Sequence, residues 1–502
     1  MLLLAGCALQ PPQGRTASTA IQDTSGTRLA RALSTAQLAH PQETGIQPLV
    51  ANRDALTARV LLAGAAERCI DAQYYIWNPD HTGMLLLEEL WKAAGRGVRI
   101  RLLLDDNSTK GMDPLISALA ARHNFEVRLF NPLRHRHARW MNYLLDFRRV
   151  NHRMHNKSFT VDNQVAVMGG RNVGDEYLGA ARGPAYADLD VLVVGPVVRA
   201  ISDEFDLYWN SASAYPAGAI VGAPSAQAEE YLRNEFAAAR ADGDSPDGLE
   251  ALAATDLPFR LESGQFSLEW VSSQLVYDDP TKALQSGDGE GLLLTRLLAI
   301  MARPVRQFDL VSPYFVPGRR GEDTLTSLAR QGICVRVLTN SLESTDVVAV
   351  HAGYIRHRKA LLRAGVQLYE LQRQHPTAGK PRAAARHTGS FGSATSLHAK
   401  TFQMDGQRIF VGSFNFDPRS ARINTEMGLV IDSTKLAARL QNFFDSQVRS
   451  LSYEVQLEHD GALRWLQQSP RGTTTYTSEP NTGLARRAEV RLLSWLPIEP
   501  LL

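Results

Sequence analysis

The chain repeats itself, and that constrains its fold more than any other feature. Cys69-Ile-Asp71-Ala-Gln-Tyr-Tyr-Ile76 is echoed by Phe308-Asp309-Leu-Val-Ser-Pro-Tyr-Phe315. Arg96-Gly97 followed by an apolar run is echoed by Gln331-Gly332 followed by another. Met154-His155-Asn-Lys157-Ser-Phe-Thr-Val-Asp162 matches Leu397-His398-Ala-Lys400-Thr-Phe-Gln-Met-Asp405. Gly169-Gly170-Arg-Asn172 matches Gly412-Ser413-Phe-Asn415, and Asp188 to Val194 matches Glu426 to Ile431. The amphipathic stretches 198–209 and 436–444 close the two series. A length of 502 residues would by itself allow about three domains. The repeat instead implies two copies of one unit plus an insertion.

Short apolar runs alternate with amphipathic ones in both copies, which implies an α/β sheet buried between helices in each. The expected division is a tether over 1–45, a first α/β domain over 46–211, a connecting insertion over 212–290 and a second α/β domain over 291–502. The insertion contains a helical pattern from Ala226 to Ala241, a Gly/Asp/Pro-rich break over 242–248 and an apolar strand near 266–277.

The repeated motif is His-x-Lys-x4-Asp, then Gly-(Gly/Ser)-x-Asn, then an acid. On an extended strand His155 and Lys157 share one face, as do His398 and Lys400. A pseudo-twofold axis would bring two imidazoles, two ammonium groups and two Asn amides (Asn172, Asn415) around one point. Imidazole is both a nucleophile and a proton carrier near neutral pH. Lysine and Asn neutralise and hold non-bridging phosphate oxygens. The set suits a phosphodiester, and two cations can do the charge neutralisation that other enzymes assign to a metal, so no metal or cofactor is expected. One such pattern would be a modest signal. Two copies are strong, because each has its Asn 17 residues after its His and lysine is otherwise scarce. Asp162 and Asp405 belong to the motif, but their residue type points to shaping the turn after the strand through backbone hydrogen bonds.

The doubled motif resembles the phospholipase D superfamily over roughly residues 48–455, and within it the lipoprotein-type branch of the bacterial cardiolipin synthases. The supporting text includes His152-Arg-Met-His155, Ser413-Phe-Asn-Phe-Asp-Pro-Arg-Ser420 and the C-terminal Leu493-Ser-Trp-Leu-Pro-Ile-Glu-Pro-Leu-Leu502. The resemblance implies two phospholipase D-type α/β/α domains sharing one active site. It implies His155 and His398 as the nucleophile and acid–base pair, with the first-half His155 as nucleophile. Lys157, Lys400, Asn172 and Asn415 would hold the phosphate. An acid on a later strand would orient each histidine: Glu426 for His398, and Asp188, or alternatively Asp190, for His155. The implied reaction is phosphatidyl transfer from phosphatidylglycerol, or from it and a second phospholipid such as phosphatidylethanolamine, through a phosphatidyl-histidine to make cardiolipin. Alternatives are hydrolysis to phosphatidic acid and nucleic-acid phosphodiester cleavage; a net charge of +2 speaks against a nucleic-acid partner. Two intact motifs speak against a non-enzymatic lipid scaffold.

Leu4-Ala-Gly-Cys7 resembles a lipobox with a shortened leader, making Cys7 a candidate lipid anchor at the periplasmic side of a bacterial envelope; the alternative is a chance apolar N-terminus. Cys69 and Cys334 are read as core thiols opening equivalent strands, not as a disulfide. Before the first motif, Arg134, Arg136, Arg139, Arg148, Arg149 and Arg153 are interleaved with Trp140, Tyr143 and Phe147. Such a mixture suits an anionic lipid interface, or equally a surface helix packing its aromatics inward. The apolar segment 492–502 carries the same two readings. No apolar run reaches the length of a membrane span.

Overall fold

The computed structural model describes residues 15–179, 185–242, 268–284, 292–301, 303–373 and 396–502. The first half supplies strands Thr44–Leu49 (β1), Cys69–Tyr74 (β2), Arg99–Asp105 (β3), Phe125–Phe130 (β4), Ser158–Val161 (β5), Val165–Gly169 (β6), Tyr186–Ala187 (β7), Asp190–Val194 (β8), Ala214–Pro216 (β9) and Glu269–Val271 (β10). The second supplies Ser273–Tyr277 (β11), Gln307–Val311 (β12), Cys334–Asn340 (β13), Gln367–Leu371 (β14), Ser396–Leu397 (β15), Thr401–Met404 (β16), Arg408–Gly412 (β17), Met427–Ile431 (β18), Ser452–Leu457 (β19), Leu463–Ser469 (β20) and Gly472–Tyr476 (β21).

The first sheet runs β10-β1-β8-β6-β5-β2-β3-β4-β9 and the second β11-β18-β17-β16-β12-β13-β14-β19-β20-β21. The repeated blocks occupy matching positions along the two sheets, with β8-β6-β5-β2-β3-β4 answering β18-β17-β16-β12-β13-β14. In both sheets only the β2-β3-β4 and β12-β13-β14 neighbours are parallel. Parallel neighbours need crossovers, and helices His81–Gly95, Asp113–Ala120, Gly318–Arg330 and Val348–Arg363 provide them. Gly97 (φ 95°) and Gly332 (φ 83°) end two of these helices in the left-handed region, each just before its next strand.

Among the described residues each half buries a main apolar core, and a further core is shared between them. In the shared one, Met168, Val191, Val193 and Ile201 of the first half pack with Val411, Leu429, Ile431 and Leu440 of the second. The sheets therefore meet across a shared core, which places β6 and β8 opposite β17 and β18.

The expected division of the chain changes in three places. Residues from 15 onward are part of the fold, not a tether. Helix Arg28–Ala39 buries Leu29 and Leu33, and β1 pairs with both β8 and β10. Before it, the backbone carbonyls of Thr16 and Ser18 accept from the guanidinium groups of Arg128 and Arg101. Contacts made through backbone carbonyls leave no hydrophobic periodicity, so the polar composition concealed them. The insertion is likewise not separate. The strand β9 extends the first sheet, helix Ala228–Asp242 packs on that half, and the one apolar strand expected near 266–277 is two: β10 joins the first sheet and β11 the second, with Ser272 between. Most of the Gly/Asp/Pro-rich break lies outside the described residues. Finally, Cys69 opens β2 while Cys334 opens β13, whose counterpart is β3; both thiols are free, but the strands are not equivalent.

Candidate active site

Each His-x-Lys motif precedes a central strand, β5 or β16, so its histidine emerges where the sheet faces the other half. Backbone pairing across the halves fixes that place. His155 N–H donates to Thr425 O (2.9 Å), and Thr425 N–H to Arg153 O (2.9 Å). On the other side β7 pairs with β15, and His398 N–H donates to Ala187 O (2.8 Å). Each histidine segment is thus stitched to the residue just before the acid of the opposite half.

The histidine–acid pairs follow that stitching and correct the expected assignment. His155 Nδ1 lies 2.8 Å from Glu426 Oε2, and His398 Nδ1 lies 2.5 Å from Asp188 Oδ2. The acids are exchanged between halves: a later-strand acid orients each histidine, but it belongs to the other copy. Sequence spacing could not reveal this, because the offsets within each copy are similar and both pairings satisfy them. Asp190 is not at either histidine; its carboxylate binds Arg59 (2.8 Å).

The two acids are held differently. Gly170 stands against Asp188, where an added Cβ would lie 2.2 Å from Oδ1. Ser413 occupies the corresponding place in the second half, and its hydroxyl donates to Glu426 Oε2 while Ser420 Oγ donates to Oε1 (2.7 Å). Burial pushes the Glu426 carboxyl up to about 7. The Asp188 carboxyl is held below its ordinary range by His398 and Lys400 in spite of burial. Burial, reinforced by Lys157 and Lys400, lowers His155 well below the ordinary imidazole value, and burial and Lys400 lower His398 to about 4. Both imidazoles are then neutral at pH 7, each with Nδ1–H toward its carboxylate.

Lys157 and Lys400 are buried, and each ammonium donates to the carbonyl of its own histidine. Burial lowers Lys157, and lowers Lys400 to about 8. Asn172 Oδ1 accepts from Ile76 N–H (3.2 Å), while its Nδ2 and the Oδ1 of Asn415 have no partner among the described residues. A buried amide left with an open donor or acceptor is the signature of a site awaiting a polar ligand. An anion fits, because two ammonium groups and an amide donor converge with two imidazoles.

Asp162 and Asp405 lie at the far ends of β5 and β16, away from this cluster. The Asp162 carboxylate accepts from the backbone N–H of Glu67, Arg68 and Cys69 (3.0, 2.7 and 2.9 Å). Asp405 accepts from Val305, Arg306 and Gln307 (3.0, 2.8 and 2.9 Å). Both carry a positive φ, 51° and 56°. They fix the entry to β2 and β12, so their place is structural and not among the reacting groups. Cys7 lies outside the described residues.

Several site residues escaped sequence reasoning. Tyr75 packs edge-on against His155 (5.1 Å), and Tyr177 and Tyr186 pack against His398 (5.1 and 5.2 Å). Tyr75 lies in a repeated block; Tyr177 and Tyr186 carry no repeat signal. Behind Glu426, Asp278 accepts from the Glu426 N–H (2.9 Å) and from Lys282 Nζ (2.9 Å), and Lys282 also donates to Ser420 O (2.9 Å). The scarcity of lysine could have drawn attention to Lys282. Nothing in the sequence marked Glu204, a fully buried carboxyl bound by Asn156 and Gln73 (2.7 and 2.5 Å) beneath the His155 segment.

Comparison with known proteins agrees with this doubled arrangement. Residues 59–209 and 297–448 both match a family described as cardiolipin synthase, PLD-like domain. Cardiolipin synthase C of Escherichia coli (strain K12) is 42% identical over 475 residues, covering 95% of this chain and 100% of that protein. A cardiolipin synthase of Oceanobacillus iheyensis is 24% identical over 76% of this chain and 64% of its own length. The crystal structure of phosphatidylserine synthase from Haemophilus influenzae Rd KW20 shares the fold, with a TM-score of 0.55 at 13% identity over 95% of this chain and 100% of that one. With both halves matched and a 42%-identical relative aligned almost end to end, the chain belongs to the cardiolipin synthase family of proteins with phospholipase D-like domains.

Proposed function

We propose that the protein is a phosphatidyltransferase that makes cardiolipin from phosphatidylglycerol, alone or with a second phospholipid such as phosphatidylethanolamine. The observation that carries the reading is the pair of neutral imidazoles, each backed by a carboxylate of the opposite half, beside two buried ammonium groups. His155 Nε2 attacks phosphorus and forms the P–N bond of a phosphatidyl-histidine as the bond to the departing alcohol oxygen breaks. His398, which enters this step as the imidazolium, gives that oxygen its Nε2 proton and leaves the step neutral. Asp188, ionised against its Nδ1, stabilises the imidazolium, and the bound diester anion raises the His398 proton affinity above its value in the empty cleft. A hydroxyl of a second phosphatidylglycerol then attacks phosphorus. His398 takes its proton, the P–N bond breaks and cardiolipin leaves. Lys157, Lys400 and the Asn172 Nδ2 hold the non-bridging oxygens, whose charge grows in the transition state, and Asn415 joins them once its amide turns over to present Nδ2. With two phosphatidylglycerols the products are cardiolipin and glycerol. With water as acceptor the product is phosphatidic acid.

The family's substrates are membrane phospholipids, and the protein acts at a membrane surface in this reading. No helix among the described residues is long and apolar enough to cross a membrane. Attachment is assigned to lipidation of Cys7 on the periplasmic side of the envelope, with no nucleic-acid substrate. Incubating the protein with labelled phosphatidylglycerol, with and without phosphatidylethanolamine, and separating the lipids by thin-layer chromatography tests the activity. Labelled cardiolipin supports transfer. Phosphatidic acid alone assigns hydrolysis instead, and no turnover of any phospholipid refutes the reading.

A further inference from the structure

The segment between β4 and the first motif turns most of its basic residues toward the fold and its largest apolar ones outward. Most of its arginines are spent on the fold. Arg136 pairs with Asp106 and Asp113, and Arg153 bonds Asp105. Arg139 donates to the carbonyls of Asp106 and Asn107 (3.0 and 3.2 Å), and Arg149 bonds Asp146 and Asn131. These bonds hold two short helices, Arg139–Leu145 and Phe147–Val150, to the loop after β3 with their apolar side chains outward. Trp140 is 65% exposed, Leu144 74%, Leu145 57% and Phe147 46%. Arg134, Arg148 and Lys110 are exposed around them. A helical pair whose polar residues turn in and whose largest apolar residues turn out is built to be covered.

A second apolar segment reaches the same place. Arg419 Nη1 and Nη2 donate to Asn151 O (3.0 Å) and Oδ1 (2.5 Å), directly after the second short helix. The same residue binds the C-terminal tail through Leu501 O (3.0 Å) and Leu502 O (2.7 Å). That tail exposes Trp495 (75%) and Leu496 (44%). The helical pair and the C-terminal tail, remote in sequence, thus meet at Arg419 beside Asn151, four residues before His155.

We infer that this face, the 139–150 helical pair joined through Arg419 to the C-terminal tail, docks the protein on an anionic phospholipid bilayer. Trp and Leu side chains enter the interface, and the exposed Arg148 and Lys110 meet the lipid phosphates. The inference rests on the reading above that the substrate lies in a membrane, and it adds which surface meets it and how the cleft is presented there. The charge decides the occupant: an apolar patch rimmed by exposed cations matches an anionic bilayer, whereas in a contact between two copies the same cations would face one another.

The test uses the full chain carrying Cys7→Ala throughout, so that no lipid anchor contributes. Flotation with vesicles of phosphatidylcholine containing phosphatidylglycerol measures binding, and turnover of dispersed short-chain phosphatidylglycerol measures the cleft. Trp140→Glu with Leu144→Glu, and separately Trp495→Glu with Leu496→Glu, are each expected to weaken vesicle binding about tenfold or more. Short-chain turnover is expected to stay at the parent rate, and vesicle binding of the parent to fall with salt and with removal of phosphatidylglycerol. Vesicle binding unchanged in both variants overturns the inference. So does a change from dimer to monomer in sedimentation with unchanged vesicle binding, which would make the face a contact between copies. Loss of short-chain turnover in the parent protein would instead refute the proposed reaction while leaving the docking result to stand or fall on its own.

Discussion

His155 Nδ1 lies 2.8 Å from Glu426 Oε2, a carboxylate 271 residues further along and in the other half of the chain. His398 and Asp188 repeat the relationship in the opposite sense. Neither half contains a complete histidine–acid pair, so duplication made the halves interdependent. Replacing an acid that orients an imidazole by its amide preserves shape but favours the wrong tautomer, with losses of up to about 10⁴-fold in known cases. Glu426→Gln and Asp188→Asn are each expected to lower kcat by about 10² to 10⁴-fold with little change in fold. Steady-state assays alongside circular dichroism check this. A variant near the parent rate would show that its carboxylate is not the orienting group.

The two histidines are expected to differ in what they leave behind. His155→Ala removes the attacking nitrogen, so no covalent phosphatidyl-enzyme forms. In His398→Ala the nucleophile remains while acceptor activation is lost, so the covalent species builds up if the donor alcohol is a good leaving group. Quenching each variant with a labelled phosphatidyl donor carrying an activated leaving group, followed by mass spectrometry of the intact chain, distinguishes them. Label on the His155→Ala protein and none on His398→Ala would reverse the assignment.

Much of this is legible in the amino-acid sequence. The two His-x-Lys motifs, with Asn172 and Asn415 at equal offsets, announce the duplication and the shared cleft, because a motif with fixed local spacing is a property of one strand and its turn. The exchange of Asp188 and Glu426 is not legible there, since it depends on which strand edges meet across the halves. The outward turn of Trp140 and Leu144 is hidden for a similar reason: their neighbours Arg136 and Arg139 bind Asp106, Asp113 and Asn107, contacts that no helical periodicity encodes. The ordered segment at 15–24 is held through backbone carbonyls, to which composition is blind.

The pH profile follows from the buried cations. Catalysis needs a neutral His155, already so well below pH 6.5, and a charged Lys400, whose ammonium is lowered to about 8 by burial. Because His398 must also carry a proton in the first step and holds it only to about pH 4 before the diester binds, kcat/KM is expected to decline across the weakly acidic range and to fall more steeply as pH rises through about 8. Lys400→Arg keeps its charge throughout and is expected to remove the alkaline limb, at a lower plateau because the planar guanidinium fits the site differently. Measurements from pH 5.5 to 9.5, about the span the two groups define, test this, and an alkaline limb unmoved in the variant would exclude Lys400 as its source. The same assay after EDTA dialysis is expected to give the parent rate, since His155, His398, Lys157 and Lys400 carry every proposed step.

Asp162 is expected to matter for stability alone. Its buried carboxylate holds three backbone N–H groups at the entry to β2. Asp162→Ala strands those donors and is expected to cost about 2–4 kcal/mol. Denaturant unfolding read against kcat/KM checks this: a lower midpoint with unchanged kcat/KM is the expected result, and a large loss of kcat/KM at full folding would return Asp162 to the catalytic set.

Glu204 makes the fold itself sensitive to alkali. Burial pushes its carboxyl up to about 8, against an ordinary value near 4.3 in an unfolded chain. The folded state therefore binds a proton that the unfolded state releases between those values. Its stabilising contribution is complete below about pH 4.3 and is lost as pH rises through about 8. Gln73 Oε1, which has no partner among the described residues, can accept the carboxyl proton once the amide turns over. Glu204→Gln removes the titration while keeping the shape. Between pH 6.5 and 9, the range that brackets this group, the parent Tm is expected to fall by a few degrees more than that of the variant. The difference between the two melting curves isolates Glu204 from Glu426 and Asp278, which titrate in both. If the curves run parallel, Glu204 is already ionised in the fold, and the Asn156 contact beneath His155 is charge-assisted.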